Sequence, residues 1–189
     1  MKSAKISFVL SAFILVLIAC EGNKNYVPKP PTYLEINLPE RTYENYKDTC
    51  NFHFQKPAYF QITAPHANTC NRDVVFKGLN GTLHLSVIQM DTSLATYVNY
   101  AIDKVNEHKI KATAILDTNI IRQEERVFGT FFELQGNVAS PFQFYVTDST
   151  DRFISGVVYF NARPNYDSIL PALNFVKKDL LNLMNTIDW

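Results

Sequence analysis

The chain has 189 residues, 47% of them hydrophobic, with 18 Lys+Arg against 18 Asp+Glu and a formal net charge of zero. That composition excludes a disordered chain, and the charge balance argues against a phosphate backbone as main partner, so no nucleic acid is expected. The 14 Phe and 10 Tyr point to strands around a large aromatic core.

Lys2 and Lys5 make a short basic start, and Ile6 to Ala19 follow without a charge. Fourteen residues give about 21 Å of helix, well short of the roughly 30 Å hydrocarbon core. That suits the apolar region of a signal peptide better than a membrane span. The run ends in Leu17-Ile18-Ala19-Cys20, which resembles a bacterial lipobox; a plain secretory signal with an incidental cysteine is the alternative. We therefore expect residues 1–19 to be a signal peptide and Cys20 to be the lipidation site. Loss of the signal removes two lysines and no acid, leaving net charge −2. Residues 20–31 end Pro-rich and lack apolar periodicity, so they read as a tether. Residues 32–189 then form a single domain.

Tyr33–Leu38, Asn51–Lys56 and Tyr59–Thr63 are short strand candidates. Gly81–Ile88 alternates cleanly, with Leu83, Leu85 and Val87 inward. Asp91 and Thr92 are candidate N-caps for a helix whose apolar stripe is Leu94, Val98, Ala101, Ile102 and Val105. A strand around Ile115–Arg122 follows. Val127–Leu134 and Phe153–Phe160 are apolar on both faces, so both read as interior strands, with Pro141–Thr147 between them. Short turns at Gly136-Asn137 and Asp148–Asp151 make these neighbours antiparallel. A final helix, capped at Asp167 or Ser168 with Pro171 in its first turn, carries the stripe Ile169, Leu173, Val176, Leu180, Met184 and Ile187. The sum predicts an α+β fold: a single domain with an antiparallel sheet of about five to seven strands and two main helices packed on it.

Cys50 and Cys70 remain after Cys20 is lipidated. In an exported protein an even pair reads as a disulfide, worth roughly 3 kcal/mol for a loop of this size. Two free thiols are one alternative. A metal is another, because Cys50, His53, His66 and Cys70 have the spacing C-x2-H-x12-H-x3-C. The oxidising compartment, the outer placement of both cysteines and the strand-like run around His53 oppose it.

No Gly-x-Ser-x-Gly, Walker loop, dinucleotide fingerprint or His-Glu-x-x-His is present. His84 sits on the polar face of its strand, and His108 at a helix end. Glu124 and Glu125 lie beside Arg122 and Arg126 and read as a solvated charge cluster. Thr147–Thr150 reads as a turn satisfied by its own side chains. Tyr145, Tyr159 and Phe160 are an aromatic group read as core before partner surface. We expect no enzyme, no cofactor and no metal.

Several segments together resemble the gliding-motility lipoprotein family of the Gld type, D member, from gliding Bacteroidetes. They are Pro30-Pro31-Thr32-Tyr33 with Ile36–Glu40, Cys50–Phe54, Phe76-Lys77-Gly78 to Ser86, Ile110–Ala112, Gly136–Ser140, Gln143–Thr150, Phe153–Gly156, Tyr159–Asn161 and Pro164–Ser168, with the final helix and Trp189. The resemblance implies an accessory or assembly component of the cell-envelope gliding machinery, linked to type IX secretion, with other gliding-machinery proteins as partners. It carries over Cys20 as the lipidation site and Cys50 and Cys70 as the matching cysteine pair, and no catalytic residue. At fold level the element order is also similar to small Mog1/PsbP-like domains. Membrane attachment through acylated Cys20, conventionally including palmitate, places the protein in the cell envelope. The absence of a dense acidic run after Cys20 favours a periplasm-facing position. The competing functions are a carrier or chaperone-like lipoprotein holding a lipid, peptide or glycan, and a hydrolase with an unrecognised site.

Overall fold

The computed structural model describes residues 37–161 and 165–189. Positions 1–19, Cys20 and the tether 20–31 lie outside the described residues, as does most of the strand expected at Tyr33–Leu38. Within that span, Asn37 and Leu38 are irregular.

Among the described residues, nine strands and two helices follow in chain order. They are β1 (Tyr43–Lys47), β2 (His53–Pro57), β3 (Phe60–Thr63), β4 (Arg72–Phe76), β5 (Gly81–Gln89), α1 (Leu94–Asn106), β6 (Ala112–Arg122), β7 (Val127–Gly136), β8 (Phe142–Thr147), β9 (Arg152–Phe160) and α2 (Tyr166–Thr186). β1 and β2 form a two-stranded antiparallel ribbon. The other seven make one antiparallel sheet in the order β3-β4-β5-β9-β8-β7-β6. The fold is α+β, as expected.

The strand with apolar residues on both faces, β9, takes the middle of the sheet, where both faces are covered. Its odd and even residues go different ways. Ile154 and Val158 face the main core beside Leu83, Leu85, Phe142 and Val146, while Phe153, Ser155, Val157 and Tyr159 face the opposite side. α2 covers the core face through Leu173, Val176, Leu180, Leu183 and Met184, closing over Phe52 and Phe54 of the ribbon side. Gly156 permits this packing, since a Cβ there would run into the Phe144 ring. α1 lies on the other face. There Val105 packs with Leu134 and Val138 in a separate small cluster.

The helix starts differ from expectation. α1 starts after Ser93, whose side chain makes no capping hydrogen bond, while Asp91 accepts from the Tyr97 hydroxyl at 2.5 Å. α2 begins at Tyr166 rather than after Asp167. The Asn137 carboxamide oxygen accepts from the Tyr166 N–H at 3.1 Å and supplies the cap from the loop between β7 and β8. Pro171 consequently stands inside the helix, beyond the first turn.

Candidate functional site

Three groups of side chains combine chemical potential with built surroundings. The first surrounds the cysteines. Cys50 follows β1, Cys70 precedes β4, and the two are joined in a disulfide. It staples the ribbon to the β4 side of the sheet. Beside it Asp48, at the end of β1, receives both arms of the Arg72 guanidinium, Nε to Oδ2 at 2.6 Å and Nη2 to Oδ1 at 2.6 Å. The Tyr46 hydroxyl and the Cys50 N–H complete its shell at 2.6 and 2.8 Å. Burial by itself raises the Asp48 pKa, but the Arg72, Tyr46 and Cys50 hydrogen bonds outweigh it and hold the carboxyl below its usual value. Burial and the Asp48 contact push the Tyr46 phenol up. A buried ion pair with a bidentate fork and saturated lone pairs is a structural knot.

The zinc-like spacing is not assembled. The two sulfurs are bonded to each other, His53 Nε2 lies 3.3 Å from the Asp188 carboxylate, and His66 is exposed in a turn. His84 Nδ1 is 2.7 Å from Asp73 on the neighbouring strand. Arg122 turns away from the Glu124-Glu125 turn to donate to the Asn185 and Ile187 carbonyls at 2.7 and 2.9 Å, with Glu125 at 3.8 Å. Asp148 accepts from the N–H groups of Thr150, Asp151 and Arg152 at 2.9 to 3.0 Å, so the Thr147–Thr150 turn is satisfied by its own side chains. Tyr145, Tyr159 and Phe160 do not share one face. Phe160 joins the main core against Phe76, Tyr145 stacks on Phe153 with ring centroids 5.5 Å apart, and Tyr159 is 43% exposed beside His84.

The second group was not legible as a site in sequence. Asp179 lies on the core side of α2 among Val176, Leu180 and Leu183, and is fully buried. Arg41 Nε donates to it at 2.9 Å, the Tyr43 hydroxyl at 2.5 Å and the Tyr59 hydroxyl at 2.6 Å. Arg41 also lies over the Phe175 ring, 4.2 Å from its centroid, and donates to the Phe175 carbonyl at 3.0 Å. Burial and the Asp179 carboxylate push the Tyr43 phenol up to about 12 and the Tyr59 phenol higher. An acid interrupting a helix's apolar stripe is the one sequence signal of this latch.

The third is a cleft of about 360 Å³ between α1 and the sheet. Ser86, Gln143 and Ser155 lie on its floor, and Tyr100, Lys104 and Tyr159 on its walls. A second hollow of about 490 Å³ continues from it, sharing Ser86, Tyr100 and Ser155 and adding Tyr97 and Phe153. Among the described residues no helix is long and apolar enough to cross a membrane.

No curated protein matches the chain. The family model described as gliding motility lipoprotein GldD matches residues 23–189, which takes in the cysteine staple, the Asp179 latch and the cleft alike. The chain therefore belongs to the gliding motility lipoprotein GldD family.

Proposed function

We propose that the protein is a non-enzymatic, membrane-anchored accessory or assembly component of the gliding machinery, linked to type IX secretion. Acyl chains on Cys20 hold the domain at the membrane, facing the periplasm, while residues 20–31 act as its tether. Confinement to a surface raises the effective concentration of the domain toward other gliding-machinery proteins without any new contact. Each buried CH₂ of an acyl chain contributes about 0.8 kcal/mol to anchoring, and two chains are needed for stable attachment.

The observation that carries this reading is the family match over residues 23–189, taken with the lipobox-like Leu17-Ile18-Ala19-Cys20 that precedes it. The state of the buried acids supports a role without catalysis. Asp48, Asp148 and Asp179 each accept three or more hydrogen bonds from their own fold. Hydrogen bonds spent within the fold hold these carboxylates in place, whereas a poised acid–base group turns toward its substrate. The Arg41–Asp179 and Cys50–Cys70 attachments also suit a tethered domain, because they pin the first described segment and the ribbon to the body that α2 covers.

The test is crosslinking in intact cells followed by pull-down. The reading expects other envelope gliding proteins with the wild type, and their loss with Cys20→Ala. Recovery of the same set by a variant released from the membrane contradicts the tethering mechanism. A protease added to intact cells is expected to leave the domain uncut, whereas cleavage places it on the outer surface. The alternative, a lipoprotein that carries a lipid, peptide or glycan, has the cleft under α1 as its support.

A further inference from the structure

α1 meets the sheet mainly at its C-terminal end. Val105 is its one buried residue, seated against Leu134 and Val138, and the preceding turns form the roof of the cleft. The cleft falls within the size range of small-ligand sites, roughly 300–1,000 Å³.

Its floor holds an unusual side chain. Gln143 is only 5% exposed and stands in register between Phe132 of β7 and Val157 of β9. Among the described residues its carboxamide has no hydrogen-bond partner, yet no side-chain nitrogen or oxygen sealed from solvent lacks one. Both hold only if the carboxamide opens into the cleft, which it lines. Next to it Ser86 and Ser155 oppose each other directly across β5 and β9, on the same face. A carboxamide that opens into the cleft while the fold leaves it unpaired is free to hydrogen-bond whatever polar group enters, in place of water.

We propose that this cleft binds a neutral pyranose sugar through a pair of adjacent hydroxyls on Gln143. A carboxamide presents an acceptor and a donor side by side. Of two neighbouring sugar hydroxyls, one donates to Oε1 while the other accepts from Nε2. Ser86 and Ser155 offer further hydroxyl partners on the floor. The sugar's apolar C–H face meets the rings of Tyr100 and Tyr159, which are 64% and 43% exposed at the mouth.

The other ligand classes fit less well. The Lys104 ammonium is engaged by Glu107 at 2.7 Å, and the Glu107 carboxylate, which also lines the cleft, opposes an anionic headgroup. An acyl chain would cover Gln143 and both serines without pairing them, at the full desolvation cost of each. A peptide strand needs an open sheet edge, and β5, β9 and β8 are each paired on both sides. The proposal stands apart from the anchoring reading: a soluble and an anchored form would carry the same cleft.

The test uses the acylated protein in phosphatidylcholine nanodiscs, titrated with the methyl glycosides of glucose, galactose and mannose, with decanoate as the apolar probe. Saturation-transfer NMR reads contact with the sugar and gives the affinity. We expect at least one glycoside to bind saturably below about 10 mM. Tyr100→Ala, an exposed change, weakens it about tenfold. Gln143→Leu abolishes it while leaving the melting temperature unchanged or higher, since the amide makes no hydrogen bond within the fold that the change would break. Absence of saturable binding by all three glycosides overturns the proposal. So does sugar binding that persists in both variants, or decanoate binding in the cleft in place of sugar.

Discussion

Buried acids decide much of this protein's behaviour at the scale of single residues, and each is answered by a particular set of donors. Asp148 is the clearest case. Burial alone would raise its pKa, but the backbone N–H groups of Arg152, Thr150 and Asp151 overcome that and bring it to about 2, from 3.8 in the open chain. A carboxyl depressed on folding contributes stability above its unfolded pKa and loses it as pH falls through the folded one. Its share is therefore complete at neutral pH and is lost between about pH 4 and pH 2, with an upper bound of about 2 kcal/mol. Asp48 is shifted in the same direction and adds to the loss. Urea midpoints measured down this pH range should fall, and Asp148→Asn should flatten part of the fall. Asp179 makes a different prediction. Replacing it by Ala leaves the Arg41 guanidinium and the Tyr43 and Tyr59 hydroxyls without their shared acceptor, and should cost about 3 kcal/mol in chemical unfolding. The role of Asp148 was legible, because an Asp-Ser-Thr-Asp turn is a local matter settled within four residues. Asp179 was not, since its partners stand more than a hundred residues away in sequence.

Among the elements, the cysteine staple and α2 do most of the joining. The Cys50–Cys70 bridge spans a sequence separation of 20. The double change Cys50→Ser with Cys70→Ser should cost about 2–4 kcal/mol, read as a lower melting temperature that reducing agent reproduces in the wild type. α2 contributes the fully buried Leu180, and Leu180→Ala should cost about 2–5 kcal/mol by transfer and cavity terms together. Elements with a strong period were legible. β5 alternates about Leu83 and Leu85, and the α2 stripe from Ile169 to Ile187 docks on the sheet as the 3.6 period requires. β1 and β4 left no such trace. Tyr43-Glu44-Asn45-Tyr46-Lys47 is mostly exposed in a two-stranded ribbon, so no buried face imposes alternation. β4 begins with Arg72, whose burial depends on Asp48 rather than on its own chemistry. The α2 start was misplaced because its cap comes from Asn137 in a distant loop.

For the whole molecule, the division of labour follows from the two faces of one sheet. One face is sealed by α2 and the ribbon and carries the stability. The other is only partly roofed by α1 and keeps a cleft. Pairing across β5, β9 and β8 places Ser86, Ser155 and Gln143 on that second face. That cleft could not be read from the chain, since a lone Gln in an aromatic strand becomes informative only when its neighbours fail to pair with it. The proposed anchoring, by contrast, rests on a purely local signal of basic start, short apolar run and Leu-x-Ala-Cys. The family places this domain among gliding motility lipoproteins, and we propose that it works there as a tethered part. The most direct measurement is to replace the chromosomal copy with Cys20→Ala, then assay membrane fractionation and colony gliding together. The protein should leave the membrane fraction, stay folded and no longer support gliding. Full gliding by cells whose protein is entirely soluble would contradict this proposal.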